Sequence, residues 1–454
     1  MDEPMEMTPP QVQRDTEAIP GGETQAGARR WDWVEPSVWT ERMLTALEVG
    51  VKGGVWFSLM DKVYATRNLE SAYRKVASNR GSAGVDQMTV QRYGRYLEQE
   101  TLRLQKALRD GRYTPQAVRR AWIPKGDGEK RPLGIPTVRD RVAQTALRNV
   151  LEPIFEREFA EHSYGFRPGR SAQDALAQVT ELLTQGYRYV VDADIRKYFD
   201  SIPKERLLLR VRERVADRQV LTLIEQYLNQ EVLDGLERWT PERGTPQGAV
   251  ISPLLANIYL NPLDHEMAGQ GYTMIRYADD FVLLCQSQAE AEQALERVRA
   301  WMTEQELTLH PEKTRIVDMN QDKASFEFLG VRFKHTDKQG DMRFPRDKSV
   351  AKLRDSIRAK TRRTNGHSLD RIIGQVNATM RGWFAYFKTC HHNSFPEIDQ
   401  WVRMRLRSIL RKRHRRLGRG RGADHQRWPN AYFNKHGLFC LEIAHAQMVE
   451  SPCG

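Results

Sequence analysis

The alternation of apolar and polar positions along the chain predicts a mixed α+β protein whose last part is entirely helical. Between Asn68 and Arg109 apolar residues recur at helical spacing, and the next stretch, AVRRAWIPKGDGEKRPLGIPTVRDR, predicts a strand, a Gly-rich turn, a second strand and a helix. The segments GYRYVVDADIRKYFDSI and TMIRYADDFVLLC have the β-branched and apolar composition of buried strands, and the second predicts a β-hairpin. Beyond Pro345 only helical spacing recurs.

The tip of the predicted hairpin carries two adjacent carboxylates, Asp279 and Asp280, and no Gly or Asn-Gly that would ease a tight turn. Two like charges repel each other, and their desolvation is unfavourable unless a cation compensates. One interpretation is an ordinary solvated turn, since Asp is common in turns. The other is a divalent metal site, because Mg²⁺ prefers carboxylate oxygens together with substrate phosphates.

A third carboxylate lies at the end of the preceding apolar strand, where Asp192 and Asp194 are two residues apart. Residues at this spacing lie on the same face of a strand. If this strand pairs with the hairpin, Asp194, Asp279 and Asp280 can share one metal cluster. Two Mg²⁺ ions held there would activate a 3′-hydroxyl and stabilise a leaving pyrophosphate, which is the chemistry of nucleotidyl transfer.

The net charge of +12 is concentrated in one part of the chain. The segment from Arg343 to Arg427 contains 23 Lys/Arg and 6 Asp/Glu, so the remainder of the chain is slightly acidic. A solvated charged face is the usual explanation of a charge run, but this bias is strongly one-sided. It favours binding to a polyanion, and most simply to a nucleic acid.

Composition argues against several other classes of protein. No apolar run reaches the roughly 18 residues that a membrane span requires, so no membrane association is expected. The N-terminal stretch MDEPMEMTPPQVQRDTEAIPGGETQ is acidic and rich in Pro and Gly, which predicts a disordered tail and no signal peptide. The four cysteines form no CxxC pair, which argues against a zinc module or a disulfide framework and favours a reducing cytoplasm.

The ordered set of motifs resembles the reverse transcriptase/maturase that bacterial group II introns encode. The matching blocks run from Asn68 to Phe387 and read NRGSAGVDQ, IPKGDGEKRPLGIPTVRDRVAQTAL, SYGFRPGRSAQDAL, VVDADIRKYFDSI, GTPQGAVISPLLANIYL, IRYADDFVLLC, LTLHPEKTRIV, FEFLGVRF and MRGWFAYF. The resemblance implies a right-hand polymerase fold of fingers, palm and thumb. It also implies an N-terminal extension and a basic, all-helical thumb that forms the maturase domain.

The resemblance, together with the composition, predicts five segments. Residues 1–30 would be the disordered tail, and residues 31–115 an N-terminal extension with a template-gripping loop. Residues 116–340 would form the fingers and palm, and residues 341–416 the thumb and maturase domain. Residues 417–454 would be a short tail that contacts DNA.

The resemblance also implies roles for individual residues of the active site. Asp194, Asp279 and Asp280 would be the catalytic, metal-binding aspartates of the palm, with the backbone of Ile195 as a further metal ligand. The dNTP would contact five side chains. Lys125 and Arg131 would clamp its triphosphate, Phe199 would exclude a 2′-hydroxyl, Gln247 would lie under the nascent base pair, and Lys313 would protonate the pyrophosphate. Solvated turn charges, core packing and a surface lysine are the respective alternatives for Lys125 and Arg131, for Phe199 and for Lys313.

A second set of residues is expected to contact template or intron RNA. Gly81 and Gly84 would shape the template-gripping loop, and Arg167 would contact the template backbone. In the predicted thumb helix, one stripe is apolar and would pack, whereas Arg403, Arg407 and Arg411 form another stripe that would face phosphates. The apolar stripe consists of Ile398, Val402, Leu406 and Leu410.

The function implied by the resemblance is an RNA-directed DNA polymerase that binds its group II intron RNA, assists its splicing and copies it into cDNA for retrohoming. It would use two Mg²⁺ ions, with Mn²⁺ as a substitute. Its partners would be the intron RNA, an RNA template with a DNA primer, and target DNA, and it would act in the bacterial cytoplasm, at the nucleoid when on DNA, as a monomer or homodimer. The absence of paired cysteines indicates a member without the C-terminal HNH endonuclease.

Two other functions remain open. A domesticated relative could serve phage defence, CRISPR spacer acquisition or DNA repair. A splicing factor with an inactive polymerase is a third interpretation, which the intact Asp194, Asp279 and Asp280 disfavour.

Overall fold

The computed structural model of the chain describes residues 31–126, 129–246, 248–416 and 422–450. Within these ranges the strands form three sheets, two of four strands and one of three. The predicted α+β class is confirmed, and beyond Pro345 the described residues form only helices and their connections. None of the helices in these ranges is both long and apolar enough to cross a membrane. The predicted tail, residues 1–30, lies outside the described residues.

The N-terminal part is a helical layer that packs against one long helix, α6. The segment that begins at Trp31 packs on α6, since Trp31 and Trp39 are buried and the Trp39 indole Nε1 donates to the Asn149 carbonyl of α6 at 2.9 Å. The helices of this layer are α1 (Glu41–Val49), α2 (Met60–Val63), α3 (Thr66–Ser78), α4 (Val90–Arg95) and α5 (Leu97–Arg109), and α6 is Val138–Glu156.

The predicted fingers contain the strand, turn and strand that the sequence indicated. Strands β1 (Val118–Gly126) and β2 (Glu129–Ile135) pair antiparallel, and β1 pairs in parallel with β4 (Val232–Asp234), whose other neighbour is β5 (Glu237–Trp239). Helix α6 follows β2 directly, and the Thr137 side chain caps it by accepting the Asp140 backbone N–H at 3.1 Å. The helix is buried around most of its surface, so it joins the fingers to the N-terminal layer.

The predicted palm is a four-stranded antiparallel sheet with the order β6-β7-β3-β8. Both faces of this sheet are covered. Val191 and Phe281 belong to the core shared with the helices of one side, whereas Val190 and Val282 belong to a second core on the other side. Burial on both faces explains why these strands are continuously apolar and do not alternate. The strands are β3 (Tyr189–Asp194), β6 (Thr273–Tyr277), β7 (Asp280–Cys285) and β8 (Arg315–Asp318).

Helices surround the palm sheet and connect its strands. They are α7 (Ala172–Thr184), α8 (Tyr198–Ser201), α9 (Lys204–Arg212), α10 (Arg218–Leu228), α11 (Ser252–Gly269) and α12 (Gln288–Glu304). Helix α11 carries Pro253 in its first turn, where the missing N–H has no intrahelical partner to lose. Helix α12 is capped by Ser287, which accepts the Glu290 backbone N–H at 3.2 Å.

A three-stranded sheet leads from the palm to the helical thumb. It consists of β9 (Ser325–Phe328), β10 (Val331–Thr336) and β11 (Gly340–Pro345), and the thumb helices are α13 (Asp347–Lys360), α14 (Leu369–Phe387) and α15 (Pro396–Arg413). The apolar stripe predicted on α15 is confirmed, because Ile398, Val402, Leu406 and Leu410 are all buried in the thumb core.

The predicted C-terminal tail needs a correction. Its described part, 422–450, forms three helices, α16 (Ala423–Arg427), α17 (Asn430–Lys435) and α18 (Leu441–Glu450). Phe433 and Leu441 are fully buried in the same core as α15, so this segment is part of the thumb and not a separate tail. A contact of this segment with DNA stays a prediction.

Candidate active site

The strand that ends in Asp194 lies beside the hairpin, as the sequence analysis required. Strands β3 and β7 pair antiparallel with Asp194 directly opposite Asp280, and Asp279 lies in the two-residue connection between β6 and β7. Directly opposed residues of antiparallel strands have Cβ atoms about 5 Å apart. The fold therefore brings the three predicted aspartates to one end of the palm sheet.

The carboxylates at this end of the sheet are destabilised in their charged form. Burial raises the pKa of Asp280 to about 7, and the nearby charges of Asp192, Asp194 and Asp279 act in the same direction, against a hydrogen bond from the Leu329 backbone. Burial and Asp194 also raise the pKa of Asp279, although Arg131 and Lys313 partly oppose this. These shifts argue against an ordinary solvated turn, the first interpretation of the Asp pair.

Two features of this acidic cluster were not expected from the sequence. Burial raises the pKa of Asp192 to about 6, and Arg315, whose Nε lies 3.4 Å from the Asp192 carboxylate, lowers it. The Leu329 backbone that bonds Asp280 lies in the turn of the motif FEFLGVRF, where Leu329 has φ of 49°. FEFLGVRF is one of the motifs that carry the family resemblance, but its sequence does not indicate that a backbone N–H of this turn would reach the catalytic hairpin.

The donor set fits a hard divalent cation. Carboxylate oxygens close to one another are the ligands that Mg²⁺ and Ca²⁺ prefer, and a cation would relieve the repulsion that raises the pKa of Asp280. The carboxylate oxygens of Asp194, Asp279 and Asp280 do not all lie within 4.8 Å of one another. Among the described residues, only Asp399, Cys440 and Glu442 form a group of possible metal ligands within that distance. In that group Asp399 accepts the backbone N–H groups of Leu441 and Glu442 at 3.1 and 3.0 Å, so it caps α18.

The motif HPEKT places Lys313 against the first aspartate. Lys313 Nζ lies 2.5 Å from Asp194 Oδ2, so Lys313 is not a remote surface lysine. The loop that carries it is fixed to the end of β3, because the His310 backbone N–H donates to the Asp194 carbonyl at 2.7 Å and the Arg196 N–H donates to the Thr308 carbonyl at 2.8 Å.

This pairing also orients the backbone of Ile195, the further metal ligand that was predicted. Ile195 lies opposite Leu309 in an antiparallel bridge, and the hydrogen bonds are made by the residues on either side of it. In such a pair the central residues direct their own backbone groups away from each other. The Ile195 carbonyl therefore points toward the β7 side, where the catalytic hairpin lies, and its role as a ligand stays a prediction.

Phe199 follows β3 and is half-buried beside the hairpin, in contact with a residue that the sequence analysis missed. Its ring meets the Phe166 ring edge-on at 6.4 Å between centroids, and Phe166 also lies 6.4 Å from the ring of Tyr277. Phe166 is 47% exposed and has φ of 58°, which is unusual for an aromatic residue. The motif GFRPGR could have indicated this contact, because it carries a large apolar residue, Phe166, directly before Arg167.

The fingertip residues are described only in part. Arg131 lies on the exposed side of β2, opposite Ile123 of β1, and is near enough to Asp279 to lower its pKa. Lys125 belongs to β1, but its side chain lies outside the described residues, as does the whole of Gln247. At the neighbouring Gly248 the backbone approaches β2 closely, because a Cβ there would lie 2.3 Å from the Gly134 carbonyl oxygen and Gly248 has φ of 102°.

The predicted template contact of Arg167 is wrong. The guanidinium is buried and holds the Glu156 carboxylate with Nε at 3.0 Å and Nη2 at 2.7 Å. Its Nη1 donates to the carbonyls of Ala160 and Ser163 at 2.6 and 2.7 Å. Because these bonds engage the fork from both sides, Arg167 ties the loop after α6 to the helix and does not face a template.

The loop that contains Gly81 and Gly84 is fixed to α6. A Cβ at Gly84 would lie 2.7 Å from the Thr137 Cα, so only glycine permits this approach of two backbones. Arg141 Nη2 donates to the Ser82 carbonyl at 2.7 Å and Arg119 Nη2 donates to the Ala83 carbonyl at 2.8 Å. The loop therefore has a defined position, and its grip on a template stays a prediction.

The predicted phosphate-facing stripe on α15 is also wrong for Arg407, one of its three residues. Arg407 is 3% exposed, and it donates from Nε to the Trp428 carbonyl at 2.9 Å and from Nη2 to Asn430 Oδ1 at 2.8 Å. Arg411 is half-buried and contacts the Asp424 carboxylate. Both arginines hold the C-terminal helices against α15. Arg403 and Arg411 are half-buried, and their RNA contacts stay predictions.

Comparison with known proteins identifies two families along the chain. Residues 123–333 match the family Reverse transcriptase (RNA-dependent DNA polymerase), and residues 350–428 match the group II intron, maturase-specific domain. Protein YkfC of Escherichia coli (strain K12) is 35% identical over 318 residues, which are 61% of this chain and 82% of YkfC. The chain belongs to the group II intron reverse transcriptase/maturase family. The expected right-hand fold and RNA-directed DNA polymerase domain are thereby confirmed.

Two further relatives match over a smaller part of their length. The group II intron-encoded protein LtrA of Lactococcus lactis subsp. cremoris is 38% identical over 196 residues, which are 42% of this chain and 32% of LtrA. Nuclear intron maturase 4 of Arabidopsis thaliana is 32% identical over 141 residues, which are 31% of this chain and 18% of that protein. A partial Cas6-RT-Cas1–Cas2 complex aligns with a TM-score of 0.35 and 25% identity over 54% of this chain and 42% of that one, which is too low to favour the CRISPR alternative.

The maturase domain of this reverse transcriptase has a basic groove where it meets the β9–β11 sheet. This groove, called here the thumb groove, has a volume of about 600 Å³. Four basic residues line it, Arg332, Lys334, Arg354 and Arg358. Asp347 and Glu397 also line it and form ion pairs with Arg332 and Arg354, at 2.7 and 2.6 Å. Arg332 and Lys334 precede the basic segment Arg343–Arg427, so the sequence did not indicate this groove.

Proposed function

We propose that this reverse transcriptase copies group II intron RNA into DNA with two Mg²⁺ ions held by Asp194, Asp279 and Asp280, and that its thumb binds the intron RNA and assists splicing. The observation that carries the proposal is the pairing of Asp194 with Asp280 at the hairpin tip, where burial and the neighbouring carboxylates raise the pKa of Asp280 to about 7. Such a cluster is costly without a cation and is suited to binding one. Mn²⁺, which prefers similar ligands, is expected to substitute.

When bound, the metal ions would lower the pKa of the primer 3′-hydroxyl and stabilise charge on the leaving pyrophosphate. The residues of the chain bind and orient the reactants. Lys313, on the loop beside Asp194, would give a proton to the pyrophosphate, and Arg131 on the fingertip strand would hold the triphosphate. Arginine suits this task because its planar fork matches phosphate oxygens.

Phe199 and Phe166 would together determine the choice of sugar. Their rings meet edge-on beside the hairpin, and the Phe199 ring also contacts that of Tyr198, whose centroid is 5.6 Å away. A ring fixed in this way would clash with a 2′-hydroxyl and favour dNTP over rNTP. The proposal gives Phe166 a supporting role that the sequence analysis did not assign.

The proposal for RNA binding rests on the thumb groove. Four basic side chains around one cavity can neutralise the phosphates of a strand, and three of them, Arg332, Arg354 and Arg358, are held in place by acidic partners. The relatives include proteins whose names describe them as intron-encoded or as an intron maturase, which supports intron RNA as the ligand. Target DNA and a primer–template duplex would be its other partners, in the bacterial cytoplasm.

Primer extension on an RNA template tests the polymerase half of this proposal. Asp279→Asn should lower single-nucleotide addition by at least about 1,000-fold, because one carboxylate of a cation site is lost at the reacting centre. Asp318→Asn is a matched control, since Asp318 lies at the opposite end of β3 from Asp194, where it faces Tyr189. Near wild-type activity of Asp279→Asn would show that the metal assignment is wrong.

A further inference from the structure

A buried arginine lies directly beneath the catalytic turn. Arg276, the third residue before Asp279, is 0% exposed, and its guanidinium is bonded at every N–H. Nε and Nη2 donate to the two carboxylate oxygens of Asp264 at 2.7 and 2.5 Å, and Nη2 also donates to Ser163 Oγ at 2.8 Å. Nη1 donates to Asn257 Oδ1 at 3.0 Å and to the Ala278 carbonyl at 2.9 Å.

The last of these bonds reaches a residue with a strained backbone. Ala278 has φ of 60°, which places an alanine in the left-handed region that favours glycine. It occupies the first position of the two-residue connection, and Asp279 occupies the second. The conformation of Ala278 therefore sets the direction in which Asp279 and the start of β7 leave the turn, and something outside the turn must maintain it.

The opposite side of the turn is closed by Gly165. A Cβ at Gly165 would lie 2.3 Å from the Ala278 backbone nitrogen and 2.8 Å from the Tyr277 carbonyl carbon, so the two backbones are in direct contact. Asn257 fixes this glycine as well, since its Nδ2 donates to the Gly165 carbonyl at 2.7 Å. The same asparagine thus touches both the arginine below the turn and the glycine beside it.

We propose that Arg276 is a positioning residue for DNA synthesis, which holds the strained Ala278 carbonyl while Gly165 closes the other side, so that Asp279 and Asp280 keep the geometry needed for metal binding. This inference rests on the proposed role of the two aspartates. Arginine is required because only its fork can hold the Asp264 carboxylate with one edge and a backbone carbonyl with another. A lysine could keep the ion pair with Asp264 but not all of these contacts.

The first test compares Arg276→Lys with the double variant Arg276→Lys/Ala278→Gly. Arg276→Lys should lower kcat for single-nucleotide addition about 100-fold at saturating dNTP and primer–template, because a small displacement of reacting groups has an effect of that size. The affinity for primer–template and the melting temperature should change little by comparison. Ala278→Gly should recover about tenfold in kcat, because glycine adopts the left-handed conformation without strain.

The second test approaches the turn from its other side and does not depend on the folding of Arg276→Lys. Gly165→Ala leaves the Arg276–Asp264 pair in place but pushes a methyl group into the turn, so kcat should fall while primer–template affinity is retained. Arg188→Lys is the matched control, since Arg188, just before palm strand β3, also pairs with a carboxylate, that of Asp341 in β11, but does not contact the turn. It should keep kcat within about threefold of wild type.

The outcomes separate this inference from the function on which it rests. Wild-type kcat in Gly165→Ala or in Arg276→Lys would overturn the positioning role. A loss in Arg276→Lys that follows the melting temperature, with no recovery by Ala278→Gly, would also overturn it and leave Arg276 as a packing residue. Asp279→Asn, measured in parallel, must be inactive in every case, and if it is active the metal assignment itself has failed.

Discussion

Single residues of one type have very different environments in this chain. Asp279 and Asp280 are adjacent, but only Asp280 is opposite Asp194 in the sheet and accepts the Leu329 backbone N–H. The pattern of three aspartates could be predicted from the sequence, because strand ends and a hairpin tip are visible in the hydrophobic pattern. Their pKa values could not, since these depend on which strands pair and on how deeply the sheet is covered.

The raised pKa of Asp280 predicts how pH affects the metal-free protein. The carboxyl has an ordinary value of 3.8, which the unfolded chain keeps, and about 7 in the fold, so between these values the folded state binds a proton that the unfolded state has released. Raising the pH through this window therefore lowers the free energy of unfolding. The melting temperature in a chelator should fall from pH 5.5 to pH 8 more steeply for wild type than for Asp280→Asn.

Addition of Mg²⁺ serves as the internal control for this pH prediction. A bound cation requires the ionised carboxylates, so it should stabilise the protein more at pH 8 than at pH 5.5. Asp280→Asn should lose most of that stabilisation. Melting curves of wild type and variant that shift in parallel with pH would show that Asp280 titrates as an ordinary carboxyl.

Sugar selection is a second property of single residues. Phe199→Ala should raise the kcat/KM for rNTP relative to dNTP by about 100-fold or more, because the ring that would clash with the 2′-hydroxyl is removed. Phe166→Ala should give a smaller change in the same direction, since it removes the ring that holds Phe199 at 6.4 Å. Leu236→Ala is a control for the loss of an exposed apolar side chain in the fingers. Unchanged ratios would show that Phe199 only packs.

At the level of elements, helix α15 shows where prediction from sequence succeeded and where it failed. Its apolar stripe is visible as a spacing of four residues and is buried as expected. Its arginine stripe has the same spacing, but a helical pattern does not reveal what packs against each face. Helices α16 and α17 cover the side with Arg407 and Arg411, and no periodicity in α15 could have indicated this.

The buried position of Arg407 predicts a local effect on stability. Arg407→Ala removes the bonds to the Trp428 carbonyl and to Asn430, so the C-terminal helices should open more easily, by about 2 to 3 kcal/mol. Hydrogen exchange should become faster in residues 422–450 while the palm is unchanged. Arg403→Ala, four residues and about one turn away on the same helix, should change exchange there by less than about 1 kcal/mol. Equal effects of the two variants would contradict this account.

For the whole molecule, the sequence was sufficient for the order of fingers, palm and thumb, because each block carries its own periodicity and turn residues. It did not show that residues 422–450 pack into the thumb core. It was not sufficient for contacts between distant segments. The bond from Leu329 to Asp280, the ring contact of Phe166 with Phe199 and the Arg276 network each join separate motifs. Such contacts are determined by the tertiary fold, and a single sequence without relatives contains no direct record of them.

The distribution of charge over the whole chain leads to the last prediction. The thumb groove combines Arg332 and Lys334, which precede the basic segment Arg343–Arg427, with Arg354 and Arg358 inside it, so Lys334→Ala combined with Arg358→Ala should weaken binding of intron RNA. Each lost phosphate contact should reduce the salt slope of log K by roughly 0.7 to 0.9, depending on whether the RNA is single- or double-stranded. Affinity should therefore fall clearly at moderate salt, and the slope should become shallower by roughly 1.5.

A charge-matched control distinguishes this local effect from a general loss of positive charge. Arg297→Ala combined with Arg299→Ala removes the same two charges from the exposed side of α12 in the palm. It should leave both the affinity for intron RNA and the salt slope close to wild type, because exposed charges distant from the RNA are screened. Single-nucleotide addition on a pre-annealed duplex at saturation should persist in both double variants, since neither touches the aspartates. If the two double variants weaken RNA binding equally, the groove has no special role and the whole basic surface attracts RNA without a defined site.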